Sequence, residues 1–161
     1  MNALLVLLRV SGLGLLAALL TASRYKVEGF SMEPSYRHGY HYLVDRSVYR
    51  RKPPERGHVV VLTHPSLDGK ALLKRVVGLP GERVSLTNSR VLINGELLNE
   101  PYLSSPGGAN PLWDLEWVLG QDECFVLGDN RGHSLDSRRL GPVKGDCIVG
   151  KVWFRYWPIL R

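Results

Sequence analysis

At 161 residues and a formal charge of +6 at pH 7, the chain is long enough for one domain with a genuine core and too short for two substantial ones. Two cysteines exclude a disulfide-framed miniprotein. The basic residues are spread out apart from Arg46 to Arg56, with no lysine-rich helix or RNA-binding motif, so nucleic acid is not an expected partner.

From Ala3 to Ala22 the chain is apolar except for Arg9, Ser11 and Thr21, about the length that crosses a bilayer as a helix. Its uninterrupted part, Val10 to Ala22, is short for a span, and a cleaved secretory peptide is the alternative. Leu20-Thr21-Ala22-Ser23 is a poor small-x-small site, and Ser31 follows only nine residues after Ala22. The favoured expectation is a retained anchor helix over 1–23. Arg9 on one side, and Arg24 and Lys26 on the other, leave its orientation open.

Beyond the anchor, short runs of Val, Ile, Leu and Tyr alternate with Gly, Pro and Asn, the pattern of a mainly β domain. The predicted strands are 24–28, 40–44, 58–63, 72–79, 83–87, 91–93, 124–127 and 147–154. Asn94-Gly95 marks a hairpin, because both residues tolerate positive φ. Residues 104–111, rich in Ser, Pro and Gly, read as a loop that accepts length variation. Residues 82–119 form a hairpin-bearing excursion of one domain spanning 24–161, since so short a piece cannot bury a core of its own. Cys124 and Cys147 sit in apolar, strand-like runs, where a bridge and free thiols are both open. Trp153, Phe154, Tyr156 and Trp157 suit either core packing or an aromatic belt at a membrane interface.

Two segments carry chemistry. Ser31 lies in Gly29-Phe30-Ser31-Met32-Glu33-Pro34, and Lys74 follows Ala71-Leu72-Leu73 and precedes Arg75-Val76-Val77. A serine hydroxyl is a weak nucleophile until a base takes its proton. A lysine serves as that base only where burial lowers its pKa by about three units, roughly 4 kcal/mol. The apolar neighbours of Lys74 suit that demand, and a carboxylate such as Glu82 in contact would oppose it. Arg75 is expected on the opposite strand face. His38-x-x-His41 lacks a third ligand, so no metal is expected. A Ser-His-Asp triad through His133 is conceivable, but its polar surroundings suit a base less well than those of Lys74.

These two segments and Gly128-Asp129-Asn130-Arg131-Gly132-His133-Ser134-Leu135-Asp136-Ser137-Arg138 resemble, in order, three signature boxes of the type I signal peptidases, the Ser-Lys peptidases of family S26. The resemblance runs from about Tyr25 to Pro158. It implies a mainly β fold, in which an N-terminal transmembrane helix precedes an antiparallel β-sheet Ser-Lys peptidase domain outside the cytoplasm. The implied activity is a membrane-bound serine endopeptidase that removes signal peptides from translocated preproteins through an acyl-enzyme, as a monomer and without a cofactor. Ser31 and Lys74 would be catalytic, with Ser134 orienting the amine. Arg75, Asp129, Asp136 and Arg138 would form structural ion pairs, Arg75 with Asp129. Tyr25, Val27, Met32 and Leu73 would line shallow apolar pockets for small residues at −1 and −3 of the scissile bond. The Ser31 N–H is one candidate oxyanion donor. Gly29 stands where some members carry a hydroxyl that supplies the second, so that donor is left open. The alternatives are a Ser-Lys peptidase that matures a specialised secretion or conjugation component, and a non-catalytic, membrane-tethered β domain that binds extended peptides.

Overall fold

The computed structural model describes residues 22–50, 52–88, 90–103 and 114–158. Eleven strands follow in chain order among them: β1 (Ala22–Lys26), β2 (His41–Asp45), β3 (Val59–Thr63), β4 (Ala71–Gly78), β5 (Arg83–Thr87), β6 (Arg90–Ile93), β7 (Glu96–Leu97), β8 (Leu115–Val118), β9 (Glu123–Leu127), β10 (Val143–Lys144) and β11 (Ile148–Trp157). A one-turn helix, α1 (Ser137–Leu140), sits between β9 and β10. Seven strands make one antiparallel sheet in the order β1-β2-β11-β3-β4-β9-β10, and four make a second in the order β7-β6-β5-β8.

The sequence explains why the central strands lie where they do. Val59-Val60-Val61-Leu62 in β3 is apolar at every position and buried at every position, the mark of a strand covered on both faces. One face of the large sheet builds a core from Val27, Met32, Tyr42, Val44, Val59, Val61, Leu73 and Val152. The other face gathers Val60, Leu62, Val76, Val126 and Ile148. In β5 and β6 the alternation is plain: Val84, Leu86, Val91 and Ile93 are buried and pack with Val77, Phe125 and Leu127. That third core fastens the small sheet to β4 and β9.

The mainly β, antiparallel expectation holds. The β6–β7 hairpin turns at Asn94 and Gly95 with φ of 53° and 88°, as the dipeptide predicted. Strands β8 and β10 are absent from the sequence reading. β10 has only two residues, and β8 presents a half-buried, half-exposed Leu-Glu-Trp-Val that draws its definition from pairing with β5. The anchor expected over 1–23 falls almost entirely outside the described residues. Ala22 and Ser23 already belong to β1, and among the described residues no helix is long and apolar enough to cross a membrane. Cys124 and Cys147 are free thiols, with Cys124 buried in the second core face. Trp153, Phe154 and Tyr156 are half-buried, and Trp157 stands 56% exposed at the end of β11.

Candidate active site

Ser31 sits on the turn that links β1 to β2. The base of that loop is closed by Val27 N–H to Tyr40 O at 2.8 Å and Gly39 N–H to Val27 O at 2.9 Å. Gly29 takes φ of 92°, a conformation costly for other residues, and its N–H donates to His38 Nδ1 at 3.0 Å. Asn130 clamps the turn from across the fold: its backbone N–H donates to Ser31 O at 3.0 Å and its Nδ2 to Phe30 O at 3.1 Å. Met32 anchors the turn in the core below.

Lys74 arrives from β4. It pairs with Val60 and Arg75 pairs with Val59, so the two basic side chains leave the strand on opposite faces. Lys74 Nζ stands 2.8 Å from Ser31 Oγ and donates to Leu73 O at 2.8 Å, with only 2% of the residue exposed. Burial lowers the amine from 10.5 to about 8, with the charge of Arg138 adding to that, against the opposing pull of Asp136 and Asp129. Glu82 is engaged elsewhere, accepting from Arg56 at 2.5 Å and from Leu79 N–H at 2.7 Å.

The loop from Gly128 to Arg138 closes the site. Arg75 grips the Asp129 carboxylate through Nε and Nη2 at 2.8 and 2.6 Å. Asp136 caps α1, accepts Gly128 N–H at 3.0 Å and holds Arg138 through two bonds at 2.8 and 2.9 Å. Burial pushes the Asp136 carboxyl up, but Arg138 and the Gly128 N–H outweigh it and hold it below its ordinary value. The Ser134 hydroxyl is buried beside this carboxylate, adds slightly to that lowering, and has no partner at full hydrogen-bond geometry among the described residues. A buried hydroxyl without a partner is costly, and this one faces Gly128. A Cβ at Gly128 would stand 2.2 Å from Ser134 Oγ and 2.5 Å from Ser31 O. Only a glycine lets the two serines approach this closely. Gly128→Ala is therefore expected to displace the nucleophile turn and cut peptide turnover by about 10²-fold or more, while circular dichroism shows the β fold retained. Wild-type turnover in Gly128→Ala would refute the crowding.

Of the residues picked from sequence, Ser31 and Lys74 meet directly, and Gly29, Ser134, Arg75, Asp129, Asp136 and Arg138 surround them. Val27, Met32 and Leu73 are each under 5% exposed and share one core cluster, with Tyr25 packed against it. They form a floor under the turn rather than an open wall. His133 is exposed on a 3-10 turn, and His41 meets Tyr156 edge to face and lies near the tilted ring of Trp157. Sequence reasoning missed Asn130, Arg131, Glu100 and Tyr102. Asn130 and Arg131 lie inside the third box and could have been singled out there. Glu100 and Tyr102 carry no local signal, because their partners are distant in the chain.

A nucleophile, a desolvated amine in contact with it, and a braced loop can together perform acyl transfer. The family model described as "Signal peptidase, peptidase S26" matches residues 1–157. A signal peptidase I of Leptolyngbya laminosa is 39% identical over 142 residues, covering 81% of this chain and 66% of that protein. Signal peptidase I V of Bacillus subtilis is 38% identical over 139 residues, covering 80% of this chain and 82% of that protein. The crystal structure of a signal peptidase I from Enterococcus faecalis superposes with a TM-score of 0.54 at 32% identity, covering 62% of this chain and 97% of the other. The chain thus spans just under two thirds of the Leptolyngbya protein's length.

Proposed function

The chain belongs to the signal peptidase family, peptidase S26, and from this premise we propose that it is a serine endopeptidase that removes signal peptides from translocated preproteins. The observation that carries the reading is Lys74 Nζ, 2% exposed and 2.8 Å from Ser31 Oγ. In the first step neutral Lys74 takes the Ser31 proton as Oγ attacks the scissile carbonyl. The Lys74 ammonium then protonates the departing amine, and the peptide C–N bond breaks to leave an acyl ester on Ser31. A water that loses its proton to Lys74 attacks the ester, and the returning proton restores the Ser31 hydroxyl. No cofactor enters these steps. The Ser31 N–H supplies one oxyanion donor, whereas the Gly29 N–H is already committed to His38.

Substrate would bind as an added extended strand, its main chain paired and alternate side chains facing the floor. Tyr25, Val27, Met32 and Leu73 would form the apolar floor beneath that strand, a surface suited to small residues at −1 and −3. The structural ion pairs Arg75–Asp129 and Asp136–Arg138 hold the loop that presses on the dyad. The domain from β1 onward would work as a monomer on the extracytoplasmic side of the membrane, held by an anchor N-terminal to Ala22. Phe30 beside the nucleophile and Trp157, 59% and 56% exposed, suit contact with the lipid interface from which a signal peptide would come.

The purified full chain in detergent is expected to cleave a peptide with Ala-x-Ala before the bond, with kcat rising with pH through about 8 as the Lys74 amine loses its proton. A profile that rises only near the ordinary lysine value, or shows no dependence over this range, would contradict a neutral Lys74 base.

A further inference from the structure

Two guanidinium groups brace the Gly128-Asp129 pair, and one short segment just beyond β7 meets both. Arg131 Nε donates to Gly128 O at 3.1 Å, while Arg75 holds the Asp129 carboxylate. Glu100 accepts from Arg131 Nη1 at 3.2 Å and from its Nη2. The Tyr102 ring lies against Arg75, with Cζ 4.0 Å from the ring centroid, and the Tyr102 hydroxyl donates to Glu100 at 2.6 Å. The Arg131 and Glu100 side chains are only 4% and 8% exposed. Burial raises the Tyr102 pKa, and the hydrogen bond and charge of Glu100 raise it further, so the phenol stays a donor.

Charges this deeply buried must be fully engaged or they destabilise the fold. Here they are engaged around one peptide unit, the unit whose missing Cβ admits Ser31 and Ser134. We propose that Glu100 and Tyr102 are positioning residues of the dyad, acting through Arg131 and Arg75 to fix the Gly128-Asp129 peptide against which Ser31 is set. The proposal rests on the Ser31–Lys74 reading of the site. It makes the segment after β7 part of the active-site support, and so couples the small sheet to the chemistry.

The test uses the full chain carrying Glu100→Gln, Tyr102→Phe and, as a control, Glu116→Gln, which breaks the exposed Arg83–Glu116 pair on the same small sheet. Tyr102→Phe keeps the ring against Arg75 and removes only the hydroxyl, so it decides the matter should Glu100→Gln fail to fold. Expected kcat losses are about 10²-fold for Glu100→Gln and about tenfold for Tyr102→Phe, with KM within about twofold of wild type. Glu116→Gln is expected to match wild type. Lys74 titration by NMR, read without substrate, should move upward in Glu100→Gln or Tyr102→Phe as water reaches the amine. Folded variants with wild-type kcat and an unmoved Lys74 titration would overturn the proposal and make the segment a plain structural brace. Failure of the dyad reading is separately visible, because Ser31→Ala would then keep cleaving whatever the Glu100 variants do.

Discussion

Lys74→Met is expected to lower kcat by about 10³-fold or more while leaving the protein folded and more stable than the wild type. The loss of rate follows from removing the only side chain within hydrogen-bond reach of Ser31 Oγ among the described residues. The gain in stability follows from the same burial that makes the amine a base. Unfolded, the lysine titrates near its ordinary 10.5; folded, near 8. Below pH 8 the folded protein must either hold a charge in a site that disfavours it or give the proton up, whereas the unfolded chain binds that proton freely. The folded state is therefore penalised at neutral pH by about 3 kcal/mol. The penalty is fully present below about 8 and fades as pH rises toward 10.5. Methionine fills much the same volume without the charge. Its advantage in chemical denaturation should be largest, about 2 to 3 kcal/mol, below pH 8 and shrink in alkaline solution. Equal stability of the two proteins at every pH would show that Lys74 is not desolvated as described.

Ser31→Ala is the second large effect. With the nucleophile gone no acyl-enzyme forms, and kcat is expected to fall by about 10⁴-fold or more. The hydroxyl is only partly buried and the turn is held by backbone bonds from Asn130 and by Met32. Thermal unfolding should therefore shift by no more than a few degrees. Peptide binding should survive, since the floor is untouched, and acyl-enzyme trapping should be lost. Retained cleavage in Ser31→Ala would remove this residue from the mechanism. Additive losses in the double variant with Lys74→Met would contradict a single functional unit, because groups that act together lose rate only once.

How far these features could be read from the chain varies by element. β3 and β4 were legible because Val59-Val60-Val61-Leu62 and Val76-Val77 are apolar on both faces, a pattern that needs no partner to interpret. The β6–β7 hairpin was legible from Asn94-Gly95 alone. β8 was not, since Leu115 to Val118 becomes a strand through its pairing with Arg83 to Leu86. The same division runs through the site. Ser31 and Lys74 each sit in a segment whose neighbours announce a turn or a dry strand, so both could be chosen before any fold was known. Arg131 with Glu100, and Tyr102 with Arg75, meet across 31 and 27 positions of chain. Nothing beside any of the four marks the contact, because tertiary packing alone creates it. Val27, Met32 and Leu73 show the converse: the pattern marked them as apolar and near the site, and only the coordinates reveal that they are nearly closed to solvent.

The account turns on a lysine amine whose proton burial loosens, set against a serine hydroxyl. Titrating the Lys74 side chain in the full-length protein by isotope-edited NMR, with Lys74→Met to assign the signal, tests this most directly. The account predicts a midpoint near 8, and a Lys74 signal that titrates at the ordinary lysine value of 10.5 would contradict it.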